Sequence, residues 1–223
     1  DALRTIDQLM EKNFDVKFVA LIGPPEFGGK DAEGVFLGRK ISWSEKGFMW
    51  SGDEKHVSNL ITLMDYSAST KGVDTPASKD TGKSDRDQLE ELDAYETKVL
   101  RQGAGKLLYI AEDTPSIKYA TSEIMGGMSS PTKFDMLRLH RAARYLVKHP
   151  GEDWRFDYQT GDNRLTEFVD SDWAGDKTTR KSTSGGVVCR GQHTISWWCK
   201  LQSNIALSSC EAELNAALNG AVE

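Results

Sequence analysis

The sequence predicts a mixed α+β fold, and three observations lead to that class. Two β-type runs around a polar turn predict a hairpin in the N-terminal part. Three successive segments with helical spacing of apolar residues occupy the middle of the chain. In the last third, apolar and polar residues alternate as they do in strands, and a helix-type run follows. We therefore predict a hairpin-and-helix part at 1–80, a helical part at 81–152, and a sheet with one helix at 153–223.

Composition limits what the chain can be. Its 223 residues fit one large domain or two small ones. The formal net charge of −6 argues against general electrostatic binding of nucleic acid, so such binding needs a local basic patch or a bridging metal. No apolar run reaches the roughly 18 residues of a membrane span, and no secretion signal is recognisable, which predicts an intracellular protein without a membrane partner. The absent initiator Met suggests an internal piece of a longer polypeptide.

The N-terminal part begins with a helix-type segment and continues through a β-type run at 16–22. Runs at 35–43 and 47–50 predict the hairpin, and a short helix follows at 56–64. A polar connector at 67–87 then marks a domain boundary.

Three helices are predicted in the middle of the chain. The first covers 89–112 with a possible break at Gly103, the second starts at Pro115, and the third runs from Pro131 to Lys148. One side of the third helix is basic. That side is either a solvated face opposite the core or a strip that contacts phosphates. Its residues are Lys133, Arg138, Arg141, Arg144 and Lys148.

The last third predicts four antiparallel strands joined by short connections. Their ranges are 154–158, 165–169, 185–190 and 193–199. Ser208 is a good N-cap residue for the helix at 209–222. Glu211 stands three residues further on, which is the spacing of a capping box.

Three sequence blocks in this last part resemble the ribonuclease H domain of copia-type retrotransposon polyproteins. They are DSDWAGD at 170–176, RKSTSG at 180–185 and ALSSCEAE at 206–213, and their spacing also fits. The resemblance implies an incomplete ribonuclease H-like mixed sheet with one helix at 153–223. It also implies that 81–152 is a helical connection region and 1–80 a thumb-like part of a reverse transcriptase.

Blocks upstream extend this resemblance over nearly the whole chain. FLGRKI at 36–41 and VDTP at 73–76 are similar to the segment after the polymerase active site of that family. KLLYIA at 106–111 and AARYL at 142–146 are similar to its connection region. The paired aspartates of the polymerase site are absent from this sequence. The partners implied are an RNA–DNA hybrid and the remainder of the Pol polyprotein, in a cytoplasmic particle or the nucleus.

The family reaction needs carboxylates, because two Mg²⁺ ions about 4 Å apart activate water and neutralise the transition state. Mn²⁺ is an alternative ion. Carried over by position, Asp170 is the strand acid, with Asp172 as its alternative on the same face. Glu211 and Glu213 lie about 200° apart around a helix, so only one can serve the site. Glu211 has a role in the cap, which leaves Glu213 as the predicted catalytic and metal-binding glutamate.

Hydroxyl and basic side chains are the candidates for contact with the hybrid. On the third helix they are Arg138, Arg141, Arg144 and Lys148, and in the second block they are Arg180, Lys181, Ser182, Thr183 and Ser184. The serines and threonine have an alternative role in shaping the entry to the next strand.

The sequence ends at Glu223, within the predicted helix, and does not contain the further aspartates of the family site. We therefore expect negligible nuclease activity from the 223-residue chain. A fragment that binds hybrids or partners without catalysis is the alternative function.

Overall fold

The mixed α+β class is confirmed in the computed structural model, which describes residues 2–17, 19–78, 90–161, 164–176 and 179–222. Within those ranges the chain forms α-helices and two antiparallel sheets, one of four strands and one of three. None of the described helices is both long and apolar enough to cross a membrane.

The helices and strands fall into three groups along the chain. The N-terminal group is α1 (Ala2–Asn13), β1 (Glu33–Phe36), β2 (Arg39–Ser44), β3 (Gly47–Ser51) and α2 (Glu54–Leu63). The middle group is α3 (Ala94–Ile110), α4 (Lys118–Met125) and α5 (Lys133–Lys148). The last group is β4 (Asp153–Asp157), β5 (Leu165–Asp172), β6 (Thr183–Arg190), β7 (His193–Leu201) and α6 (Ser209–Gly220).

The first sheet has the order β1-β2-β3-β4, and its β2–β3 hairpin confirms the predicted one. The single strand predicted at 35–43 is wrong, because a tight turn divides it into β1 and β2. Leu37 and Gly38 both have positive φ, at 49° and 80°. Such a two-residue turn twists the chain in the sense that a hairpin needs. The strand predicted at 16–22 is also wrong: its described residues form only an isolated bridge between Ile22 and Asp31.

Strand β4 belongs to the first sheet rather than to the last one, which corrects the predicted strand neighbours. It pairs antiparallel with β3, and Trp50 lies opposite Trp154. The Trp154 indole donates a hydrogen bond to the Asp113 carbonyl at 2.8 Å and stacks on Trp197 with ring centroids 4.8 Å apart. Stacking of this half-buried ring on Trp197, together with its hydrogen bond to Asp113, favours the place of β4 in the first sheet despite the short sequence distance to β5. The second sheet therefore has the order β5-β6-β7.

The main hydrophobic core lies among α2, α3, α4 and α5. Leu60, Leu100, Leu107, Ile124 and Leu139 are fully buried in it. Charged capping groups fix the helix starts around this core. For example, the fully buried Asp135 carboxylate accepts hydrogen bonds from the backbone N–H and the hydroxyl of Thr132, both at 3.0 Å.

Helix α3 is continuous through Gly103, so the possible break is absent. A Cβ at Gly103 would lie 2.6 Å from Leu139 Cδ2, which is too close for any real contact. Glycine therefore lets α3 approach α5 closely. Gly105, two residues on, is exposed and has open space around its Cα.

We expect Gly103→Ala to lower the free energy of unfolding by about 1–3 kcal/mol, because the added methyl group overpacks the contact with Leu139. Gly105→Ala is the matched control. It should raise stability by up to about 1 kcal/mol, because alanine favours the helix and meets nothing there. Urea unfolding of both variants measures the difference. Equal effects of the two substitutions would contradict a close α3–α5 contact at Gly103.

Candidate carboxylate site

Helix α6 is anchored on one face of the second sheet. The buried Gln202 side chain donates to the Ser184 hydroxyl at 2.8 Å and to the Ala212 carbonyl at 2.9 Å. The start of α6 is fixed by Ser208, whose hydroxyl accepts from the Glu211 N–H at 3.2 Å. These contacts give the helix one defined position against β5 and β6.

Glu211 is part of the helix cap. Its carboxylate accepts a hydrogen bond from the Leu207 N–H at 2.7 Å. This bond reaches one residue further back than in the reciprocal capping box, where the N-cap N–H is the donor. The prediction that Glu211 has a structural role at the start of α6 is confirmed.

Glu213 lies against Ser171 of β5, whose hydroxyl donates to Glu213 Oε1 at 2.8 Å. Successive side chains of a strand point to opposite faces, so Asp170 and Asp172 lie on the other face from Ser171. A second contact shows that α6 covers the Ser171 face. A Cβ at Gly220 of α6 would lie 2.4 Å from a carboxylate oxygen of Glu167, which is four residues before Ser171 and therefore on the same face of β5. The structure therefore does not bring Asp170 and Glu213 together on one face.

Asp170 and Asp172 line a cavity of about 440 Å³ on the face opposite α6. Tyr119 of α4 forms part of its wall. Burial raises the pKa of Tyr119 to about 12, and the charges of Glu123 and Asp172 act in the same direction. The sequence analysis missed Tyr119, because nothing in a helix 50 residues upstream indicates that it faces this strand.

These carboxylates offer oxygen ligands of the kind that Mg²⁺ and Mn²⁺ prefer. However, no group of three or more His, Cys, Asp or Glu side chains is arranged to hold a metal ion in the part of the chain that the structure describes. Asp172 is also packed against its own turn, since a Cβ at Gly175 would lie 2.0 Å from its Oδ2. The donors present fit a cation held by one strand and water, and they do not fit a centre that also uses Glu213.

The hydroxyl residues of the second block are part of the protein interior. Ser182 and Ser184 are fully buried and Thr183 is 8% exposed. The Ser182 hydroxyl accepts from the Ala174 N–H at 3.0 Å and so holds the turn after β5. Their burial fits the alternative role in shaping the strand entry. Thr183 and Ser184 also line the cavity beside Asp170 and Asp172, and contact with nucleic acid stays a prediction. Arg180 is exposed and Lys181 is half-buried.

The basic side of α5 is engaged by the protein itself. Its side chains reach acceptors on α3, on α4 and on the segment at 71–75 that crosses the helix. The contacts are Lys133 with Glu96 at 2.6 Å, Arg138 with Glu123 at 2.8 Å, Arg141 with the Thr75 hydroxyl at 2.7 Å, Arg144 with the Lys71 carbonyl at 2.9 Å, and Lys148 with Asp74. The basic side of α5 therefore makes contacts within the protein, whereas both interpretations of the sequence took it to be free for water or for phosphates.

Over half or more of its length the chain is similar to Pol polyproteins from transposons. It is 37% identical over 119 residues to the retrovirus-related Pol polyprotein from transposon RE1 of Arabidopsis thaliana, which is 53% of this chain and 8% of that polyprotein. It is 29% identical over 215 residues to the corresponding polyprotein from transposon TNT 1-94 of Nicotiana tabacum, which is 93% of this chain and 15% of that polyprotein.

A shorter relative is the secreted RxLR effector protein 161 of Plasmopara viticola. It is 33% identical over 113 residues, which is 50% of this chain and 79% of that protein. No protein-family model and no solved structure gives a significant match.

Two of these relatives are retrovirus-related Pol polyproteins from transposons, at 37% and 29% identity. These comparisons confirm the resemblance to copia-type retrotransposon Pol polyproteins and support the description of the chain as a fragment of such a polyprotein. It spans only a small part of the first of these relatives, 8% of the RE1 polyprotein.

Proposed function

We propose that this part of Pol contributes the strand carboxylates of a ribonuclease H-type site, which hydrolyses the RNA strand of RNA–DNA hybrids. One observation carries the proposal. Asp170 and Asp172, within the DSDWAGD block, lie on the same face of β5 and line the same cavity. Two carboxylates at alternate strand positions are a suitable start for a site that handles phosphodiesters with divalent cations.

The chemistry divides between the cation and the protein. When bound, a pair of Mg²⁺ ions supplies an activated water and neutralises the charge of the transition state. The residues of this chain present negative charge at one side of the cavity, through Asp170 and Asp172. Trp197 and Phe168 provide apolar wall to the same cavity. Glu213 does not contribute to binding of the cations while it accepts the hydrogen bond from Ser171 on the other face of β5.

We further propose that the 223-residue chain by itself does not cleave hybrids above the metal-free background. The reason is geometric. The reaction needs several carboxylates around the cations, and Glu213 is held by Ser171 on the α6 face of β5, away from Asp170. The remainder of Pol is the proposed partner, and an intracellular location belongs to the same proposal.

The first test combines cation binding with cleavage. The ¹⁵N-labelled chain is titrated with Mn²⁺, and the paramagnetic broadening of its amide signals is measured. We expect broadening centred on β5 around Asp170 and Asp172, and its loss in Asp170→Asn/Asp172→Asn. Glu213→Gln is the matched control and should leave the broadening at Asp170 unchanged, because Glu213 lies on the opposite face of the strand.

Cleavage of a labelled RNA–DNA hybrid is measured in parallel with Mg²⁺. No cleavage is expected from the chain alone. Mg²⁺-dependent cleavage that Asp170→Asn abolishes would support the ribonuclease assignment and contradict the proposed inactivity. Broadening at Glu211 and Glu213 instead of β5, or none at all, would contradict the assignment of the strand carboxylates.

A second candidate is binding of hybrids without catalysis. The exposed Arg180, next to Lys181 in the loop before β6, favours it. Affinity that falls steeply with salt, and that is lost on Arg180→Glu/Lys181→Glu, would support it, because phosphate contacts release counterions. Salt-independent binding, or binding unchanged by the charge reversal, would contradict it.

A further inference from the structure

A second cavity, of about 490 Å³, lies between α5, α4 and the segment at 66–78. Its volume is within the range of small-molecule sites, roughly 300–1,000 Å³, and is much too small for a nucleic-acid duplex. Leu137, Ala120 and Pro76 provide apolar wall, and the rings of Tyr66 and Tyr119 add aromatic surface. The cavity therefore suits a compact ligand with an apolar or aromatic body.

Three arginines of α5 line this cavity, and they differ in how their charge is balanced. Arg138 is paired with the Glu123 carboxylate at 2.8 Å. Arg141 and Arg144 donate to neutral oxygens, the Thr75 hydroxyl and the Lys71 carbonyl. Two guanidinium charges at this cavity thus face neutral acceptors among the described residues.

Arg141 also has donor capacity to spare. Its Nε is buried and makes no hydrogen bond to any residue that the structure describes. A buried donor without an acceptor is unfavourable, so a small rotation of the Arg141 side chain that presents Nε to a ligand oxygen in the cavity would be favoured. Arginine is the side chain best suited to this task, because its planar group donates two parallel hydrogen bonds to phosphate.

Of the described residues that line the cavity, Tyr66 and His140 add no countercharge to that of Glu123. The Tyr66 hydroxyl and His140 Nδ1 are hydrogen-bonded at 2.7 Å. Burial lowers the pKa of His140 and raises the pKa of Tyr66, so both side chains are neutral at pH 7. They contribute polar contacts without a countercharge, and the positive potential comes from Arg141 and Arg144.

We infer that this cavity binds a small organic phosphate. The phosphate group contacts Arg141 and Arg144, and the apolar body packs between Leu137 and the tyrosine rings. The two negative charges of a phosphate dianion match the charges of the two guanidinium groups that face neutral acceptors. The apolar wall adds favourable contacts with the organic part of the ligand, which inorganic phosphate lacks. This cavity shares the Tyr119 ring with the cavity beside Asp170, but its arginines take no part in the proposed carboxylate site, so the inference does not depend on the proposed ribonuclease function.

Phenyl phosphate is the probe, and its binding to the full chain is measured by calorimetry and by chemical shift changes at α5. We expect it to bind about tenfold more tightly than inorganic phosphate, which lacks the aromatic ring, or phenol, which lacks the phosphate group. Arg141→Gln and Arg144→Gln should each weaken binding about tenfold or more. Arg155→Gln, an exposed arginine of β4 outside the cavity, is the matched control and should bind as the parent does.

Thermal melts of each variant show whether it is folded, and Arg144→Gln gives an independent answer if Arg141→Gln is unstable. No binding of phenyl phosphate would overturn the inference, and so would binding that is unchanged in both cavity variants. Equal affinity for phenyl phosphate and inorganic phosphate would also overturn it, because the apolar wall would then play no part.

Discussion

Asp113→Ala is expected to lower the free energy of unfolding by about 3–5 kcal/mol, the range for breaking a buried ion pair. The Asp113 side chain is 7% exposed, and its carboxylate accepts from Arg39 Nε at 2.8 Å and from the Trp50 indole at 3.2 Å. The hydrogen bond and the charge of Asp113 raise the pKa of Arg39 against the opposing effect of burial. Removal of the carboxylate leaves the guanidinium charge buried without its partner.

This ion pair also joins two parts of the fold. Asp113 follows α3 at the edge of the helical core, whereas Arg39 and Trp50 belong to the first sheet. The Asp113 carbonyl accepts from Trp154 of β4, so both the main chain and the side chain of one residue hold that sheet to the helices. The loss should therefore be visible as a lower cooperativity of unfolding as well as a lower midpoint.

Urea unfolding followed by tryptophan fluorescence measures this effect, because Trp50 and Trp154 report on the sheet. Asp157→Ala is the matched control: it removes an exposed carboxylate 3.6 Å from Arg155 in the same sheet. An exposed ion pair contributes at most about 1 kcal/mol. If Asp113→Ala and Asp157→Ala destabilise the chain equally, Asp113 does not connect the sheet to the helices.

Gln202→Leu is expected to cost about 2–3 kcal/mol, because it leaves buried polar groups without partners. Gln202 is 4% exposed and bonds to Ser184 of β6 and to the Ala212 carbonyl of α6. Leucine has a similar size, so the loss would come from the hydrogen bonds rather than from a cavity. Without this link α6 has less to fix it on β5 and β6.

Hydrogen exchange of the α6 amides measures the consequence directly. Faster exchange is expected between residues 209 and 220 in Gln202→Leu, with the α3 and α5 amides unchanged. Asn215→Ala is the control, since it removes only a long contact of 3.4 Å to Gln202 Oε1. Uniformly faster exchange over the whole chain would contradict a local anchoring role for Gln202.

This anchor also determines where Glu213 lies. Because Gln202 and Ser184 hold α6 on one face of the sheet, Glu213 comes to Ser171 and not to Asp170. If Gln202→Leu freed the helix, broadening by Mn²⁺ at β5 should persist, since Asp170 and Asp172 are on the strand itself. Gln202→Leu thus tests the position of α6, and the Mn²⁺ titration tests the carboxylates of β5.

Local patterns predicted much of the secondary structure. Helical spacing located α2 to α5, and the cap at Ser208 was visible because capping depends on neighbours in sequence. The turn at Leu37 and Gly38 was missed, since leucine seldom adopts positive φ and Gly38 is the one local sign of a turn in a run that otherwise resembles a strand. The pairing of β4 with β3 was missed for a different reason: it depends on contacts of Trp154 with Asp113 and Trp197, which are distant in sequence.

The sequence by itself determined the resemblance to copia-type Pol polyproteins, the mixed fold class and the candidate acids. These follow from residue types and short spacings, which the chain carries without folding. Only the tertiary structure decided that Asp170 and Glu213 lie on opposite faces of β5, that Ser182 to Ser184 are buried, and that the basic side of α5 borders a cavity. Helix geometry separates Glu211 from Glu213, but the face of the sheet that a helix covers is set by packing between distant segments.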